Sequence, residues 1–136
     1  MADHPHHLHH VQIYYEDTDF SGVVYHANYL KYFERAREHL IGVDELVRLF
    51  REDGIGFVVY KANLTFREGA VHGDTLEIRT RVEVGSEYRA VFHHEVWRPT
   101  SKQAMVIGQV DLVCVDPQQK LVPLPASVIE GIRQFS

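Results

Sequence analysis

The chain has 136 residues, 45% hydrophobic and 24% charged, which suits one globular domain spanning residues 1–136 and excludes a fibrous or wholly disordered chain. A formal net charge of -5 argues against a phosphate-backbone partner, so no nucleic acid is expected, although a local group of basic side chains can still hold a ligand with several phosphates. The single cysteine, Cys114, excludes an intramolecular disulfide framework and a thiolate zinc cluster; with no apolar leader and no bilayer-length apolar segment, a cytoplasmic protein is expected.

The N-terminus, MADHPHHLHH, carries His4, His6, His7, His9 and His10. Residues 1–8 are expected to be flexible, and no metal or other cofactor is assigned to them. From His9 to Tyr15 the residues Val11, Ile13 and Tyr15 alternate with polar ones, the period-two pattern of a half-buried strand. A polar run from Glu16 to Gly22 breaks it. In ANYLKYFERAREHL, Tyr29, Phe33, Ala36 and Leu40 recur at helical spacing, with Asn28 as a cap and Gly42 as a stop. Asp44 is expected to cap a second helix, DELVRLFRED, ending at Gly54.

Everything from Gly56 to Asp116 reads as strand. The clearest piece is DTLEIRTRVEV, where Leu76, Ile78, Thr80, Val82 and Val84 share one face and Glu77, Arg79, Arg81 and Glu83 the other. Residues 57–68, 87–98 and 103–115 are rich in Val, Tyr, Phe and Ile and are separated by turn-prone groups, so antiparallel hairpins are expected. ASVIEGIRQF is expected to close the chain as a short helix. The order is strand, long helix, then four antiparallel strands, an α+β fold. The apolar face of such a sheet must be covered, and the long amphipathic helix is the element large enough to do it, which gives a curved sheet of about five strands wrapped around a helix.

The chemistry concentrates in YYEDTDFSGVVYHANY, residues 14–29. Glu16, Asp17 and Asp19 stand just before a helix start that also offers His26. A helix N-terminus presents unpaired N–H groups and a partial positive charge, which can hold an oxyanion. A carboxylate beside such donors suits thioester cleavage, because a thiol with a pKa of roughly 8.5 leaves as thiolate without a strong general acid. An aspartate with a pKa near 3.9 is a weak base, so either burial raises its pKa or it attacks the carbonyl directly to give a mixed anhydride. Spacing alone does not choose between Asp17 and Asp19.

YYEDTDFSGVVYHANYLKYFERARE resembles the signature of the 4-hydroxybenzoyl-CoA thioesterase family, in particular its YbgC-type acyl-CoA thioesterases. The likeness extends more loosely through VVYKANLTFREGAVHGDTLEI, residues 58–78. The resemblance implies the hot-dog fold, acyl-CoA or a related thioester as substrate with no cofactor, and Asp19 as the catalytic carboxylate. It implies that the main chain at His26 polarises the thioester carbonyl, with a side-chain role for His26 left open, and that the flanking Tyr25 and Ala27 contact substrate. It also implies a homo-oligomer, a dimer of dimers, with acyl chains entering at a subunit interface.

Competing readings attach to the same residues. Asp17-x-Asp19-x-Ser21-Gly22 follows the start of a calcium loop, but Asn28 stands where such a loop ends in Glu and a strand precedes it. Asp17 and Asp19 also suit plain turn and cap roles. Cys114, in the alternating VDLVCVD, reads as core. No G-x-S-x-G elbow is present, against a serine hydrolase. Arg67, Arg89, Arg98 and Lys102 are candidates for the phosphates of CoA, none singled out. Two other functions fit the fold: a hydratase or dehydratase acting on an acyl thioester, and a non-catalytic acyl-CoA sensor. Release of free thiol separates the first reading from both.

Overall fold

The computed structural model describes residues 6–136. The expected flexibility of residues 1–5, and His4 with it, lies outside the described residues. The strands are β1 (His7–Gln12), β2 (Gly56–Phe66), β3 (Thr75–Ser86), β4 (Arg89–Trp97), β5 (Val106–Val115) and the two-residue β6 (Leu121–Val122); the helices are α1 (Asn28–Ile41), α2 (Val43–Asp53) and α3 (Ala126–Arg133). All strands lie in one antiparallel sheet of order β1-β3-β4-β5-β2, with β6 on the end of β5.

The alternation read in the sequence sets the inner face. Leu76, Ile78, Thr80 and Val82 of β3 are buried while Glu77, Arg79 and Arg81 are half-buried between them. Val84, expected inside, is 44% exposed, because it lies next to the β3–β4 turn, opposite Ala90. Tyr29, Phe33, Ala36 and Leu40 of α1 all lie in the core, as their spacing requires, and Tyr32 and Arg37 join them. Gly42 ends α1 at φ 113° and Gly54 ends α2 at φ 68°, both backbone states that favour glycine.

Several expectations are corrected. Strand β1 begins at His7, inside the stretch expected to be flexible, because His7 to Gln12 pair in register with Thr80 to Thr75 of β3. It also ends early: Tyr15 leaves the Val11 face for a 3-10 turn (Tyr15–Asp17) and is 78% exposed. Asn28 is the first residue of α1, with Ala27 at the cap. The side-chain amide of Asn28 donates instead to the Asp17 carbonyl at 3.0 Å. Helix α2 starts at Val43, directly after Gly42, without a side-chain cap from Asp44. Strands β2 and β3 form no hairpin; they sit far apart in the sheet. The segment joining them crosses the sheet end, held by Arg67 and Glu68 N–H groups donating to the Met105 carbonyl.

Helix α1 packs tightly against the sheet at Gly108. A Cβ there would lie 2.5 Å from a ring carbon of Phe33, itself fully buried. Gly108→Ala is therefore expected to destabilise the protein by about 1–3 kcal/mol through overpacking, measured by urea unfolding; an unchanged midpoint would show that α1 sits further from β5.

Beside this crossing the core holds a polar trio. The Arg37 guanidinium donates to His94 Nε2 at 3.2 Å, and His94 Nδ1 meets Thr80 Oγ1 at 2.8 Å. Since Arg37 can only donate, Nε2 is the acceptor and Nδ1 carries the proton, donated to Thr80. Phe33 stacks on the His94 ring at 4.4 Å. Burial, then the Arg37 charge, hold His94 well below the ordinary histidine range; burial and the neighbouring His39 act likewise on the partly exposed His7 and His9. These groups bind fewer protons folded than unfolded, so their contribution is complete above pH 6.5, the ordinary value, and is lost as pH falls below it. Calorimetry between pH 7.5 and 5.5 should therefore show a falling Tm, with His94 contributing at most about 1.4 kcal/mol per pH unit; a flat Tm would mean that His94 is not held neutral.

Candidate active site

The chain reaches the site through a series of backbone locks. Ile13 N–H donates to the Asp74 carbonyl at 2.8 Å and Gly73 N–H to the Ile13 carbonyl at 3.0 Å, fixing the end of β1. Asp17 then turns the chain: its Oδ2 accepts from Tyr14 N–H and its Oδ1 from the Tyr32 hydroxyl, both at 2.8 Å. Its carbonyl accepts from Tyr25 N–H at 3.0 Å, beside the Asn28 bond already described. Both carboxylate oxygens and the carbonyl of Asp17 are thus engaged within the chain.

Residues 18–24 fold back on themselves. Thr18 and Val24 bridge, Asp19 N–H donates to the Val23 carbonyl at 2.8 Å, and Gly22, at φ 87°, closes the turn by donating to the Asp19 carbonyl at 3.0 Å. Gly22 is required by that positive φ. Asp19 stands exposed at this turn, its Oδ1 accepting from Ser21 N–H at 2.8 Å and Ser21 Oγ at 2.6 Å. The Ser21 bonds, chiefly that from the hydroxyl, hold its carboxyl below the ordinary range, and the nearby His26 and the Val23 backbone add to the effect. The alternative that burial raises the Asp19 pKa is corrected: in the single chain the side chain is open to solvent, and donors stabilise its ionised form.

The start of α1 lies alongside. Val24 N–H is taken by the Ala70 carbonyl at 2.9 Å, Tyr25 N–H by Asp17, and the N–H groups of Asn28, Tyr29 and Leu30 by the carbonyls of Tyr25, His26 and Ala27. The main-chain N–H groups of His26 and Ala27 are the two in this stretch without a partner among the described residues. The His26 ring packs 4.5 Å from Tyr25 and 6.3 Å from Phe66. Asp19 lies near enough to His26 for that ring to act on its charge, and Tyr25 and Ala27 flank His26 at the start of α1, where two N–H groups have no partner among the described residues. Around them stand exposed apolar groups: Phe20, at 108% exposure, next to Asp19 in the chain, Tyr25 and Phe66 against the His26 ring, and Val71 bridged to Val23.

Sequence reasoning missed what braces this corner. Arg98, a candidate for CoA phosphates, is occupied instead: it donates to Glu68 Oε2 at 2.5 Å, Asp74 Oδ2 at 2.7 Å and the Gly69 carbonyl at 3.2 Å. It thereby ties the β2–β3 crossing, whose Ala70 supports Val24, to the end of β4. The Tyr29 hydroxyl accepts from Ala70 N–H at 3.3 Å. No local pattern marks these long-range partners. Arg89 likewise reaches Tyr60 at 3.4 Å, while Arg67 and Lys102 are exposed. Cys114 is free and fully buried, as read.

An antiparallel sheet wrapped around one long helix is the hot-dog fold. Residues 14–132 match the model of the thioesterase-like superfamily, and the chain belongs to that family. The acyl-CoA thioester hydrolase YbgC of Escherichia coli is 32% identical over 126 residues, covering 91% of this chain and 93% of that protein. The crystal structure of a 1,4-dihydroxy-2-naphthoyl-CoA thioesterase from Synechocystis has a TM-score of 0.86 at 25% identity, covering 95% of this chain and 96% of its own. A 4-hydroxybenzoyl-CoA thioesterase structure has a TM-score of 0.83 at 22% identity, covering 92% and 96%, and speaks for the shared fold.

Proposed function

We propose that the protein hydrolyses acyl-CoA to free acid and thiol, with Asp19 as the attacking carboxylate. The observation that supports this is an ionised, outward-facing Asp19 near His26, together with the N–H groups of His26 and Ala27 at the start of α1, which have no partner among the described residues. The carboxylate oxygen adds to the thioester carbonyl carbon, the two N–H groups receive the developing oxyanion, and the carbon–sulfur bond breaks to release thiolate. Water then hydrolyses the mixed anhydride. The Ser21 bonds that lower the Asp19 pKa keep the carboxylate ionised, the form that attacks carbon. No metal or organic cofactor takes part in these steps. Tyr25 and Phe66 flank the acyl group, and the His26 side chain is left with a packing role.

The naked rim around Asp19 supports a site completed by a second copy. Strand β2 lies at the sheet edge, with Val58, Val59 and Tyr60 between 39% and 49% exposed, and an apolar open edge of this kind is covered by pairing. The proposed unit is a dimer through β2, two such dimers forming a tetramer, working in the cytoplasm. Thiol release from a panel of acyl-CoA esters, followed with a thiol reagent, tests the activity; absence of release across the panel refutes it and favours a hydratase or a sensor. Sedimentation equilibrium should give a dimer or larger, and a monomer would overturn the β2 pairing.

A further inference from the structure

A cleft of about 230 Å3 opens between α1, α2 and the β2 edge. Its walls are apolar, formed by Ile41, Leu46, Phe50, Phe57 and Leu112, yet Arg37 lines it as well. Arg37 is only 7% exposed. A guanidinium has five N–H donors, and the one acceptor Arg37 has among the described residues is His94 Nε2. Its remaining nitrogens are not sealed from solvent, and since Arg37 lines the cleft, an acceptor brought there by a ligand can engage them. Glu34 and Glu38 also line the cleft, and both charges act on Arg37. They disfavour an anionic head group and leave a neutral oxygen as the fitting acceptor.

The position of the cleft gives it a role. Strand β2 spans residues 56–66, so antiparallel pairing of two copies along its length sets Gly56 of one against Phe66 of the other. Phe66 packs against His26, whereas Gly56 and Phe57 line the cleft. We infer that, in the β2-paired dimer, the cleft of one subunit receives the far end of an acyl group held at the partner's active corner, where Arg37 selects chains ending in a neutral hydrogen-bond acceptor, a hydroxyl or carbonyl oxygen. This inference rests on the function proposed above.

The test uses two non-hydrolysable CoA thioethers, one with a plain six-carbon chain and one whose chain ends in a hydroxyl, titrated calorimetrically into the full chain. The hydroxyl-bearing compound should bind about tenfold more tightly, the scale of one charge-assisted hydrogen bond. Arg37→Met should level the two. Leu46→Trp, which fills the cleft from a half-exposed position on α2, should weaken both, and it decides the matter if the Arg37 variant does not fold. Equal binding by the unaltered protein, a preference that survives in Arg37→Met, or unweakened binding in Leu46→Trp overturns the inference. A binding preference without thiol release from any acyl-CoA would instead sink the Asp19 chemistry and leave the Arg37 selection standing.

Discussion

Asp19→Asn is expected to lower kcat for acyl-CoA hydrolysis by about a thousandfold or more while leaving the unfolding midpoint in place. The amide keeps the shape and one acceptor oxygen, so the two Ser21 bonds that build the turn persist. What disappears is the negative oxygen that forms the bond to carbon, and the residual rate is that of oxyanion stabilisation and binding alone. Because Asp19 is exposed and its bonds are local, the fold does not depend on its charge. A folded variant with full activity would exclude Asp19 as the attacking group. The pH profile offers a second reading of the same group: activity requires the ionised form, so it is lost as pH falls through the Asp19 pKa, which Ser21 holds below the ordinary value of 3.8. Ser21→Ala should move that acid limb upward, since it removes the hydroxyl that most stabilises the ionised carboxylate.

The fold was legible because its determinants are local and periodic. The α1 stripe of Tyr29, Phe33, Ala36 and Leu40 and the β3 alternation of Leu76, Ile78 and Val82 each record which face meets the core. Pairing order was less legible: nothing within residues 56–86 says that β2 seeks β5 and not β3, since that choice is made by contacts across forty residues or more, such as Phe66 with Val106. Arg37 falls one position after Ala36 on the buried side of α1, and the helical wheel alone could have placed it inward, but not its partner His94. At the site, the cluster of acidic residues before the helix was visible, whereas the division between an internally bonded Asp17 and an exposed Asp19 was not. That division depends on Tyr32, fifteen residues away, and on whether a turn points its carboxylate inward or out.

Asp17→Ala should therefore behave in the opposite sense to Asp19→Asn, costing stability first and activity as a consequence. Removal of the carboxylate strips the cap from Tyr14 N–H, worth about 1 kcal/mol. It also leaves the Tyr32 hydroxyl without its acceptor in a residue only 1% exposed, a further 1–3 kcal/mol or so for an unsatisfied buried group. The expected total is about 2–4 kcal/mol, or roughly 10 °C in Tm for a chain of this size. Hydrolysis should fall as well, by about a hundredfold if the turn carrying Asp19 shifts by an ångström against the start of α1. In a Tyr32→Phe background the same substitution should cost less, because the hydroxyl that Asp17 serves is already absent, and the difference measures their coupling. Thermal unfolding and thiol release measured on the same preparations separate the two aspartates. If Asp17→Ala left Tm unchanged and abolished hydrolysis, the attacking group would be Asp17, and the Asp19 turn would be the scaffold.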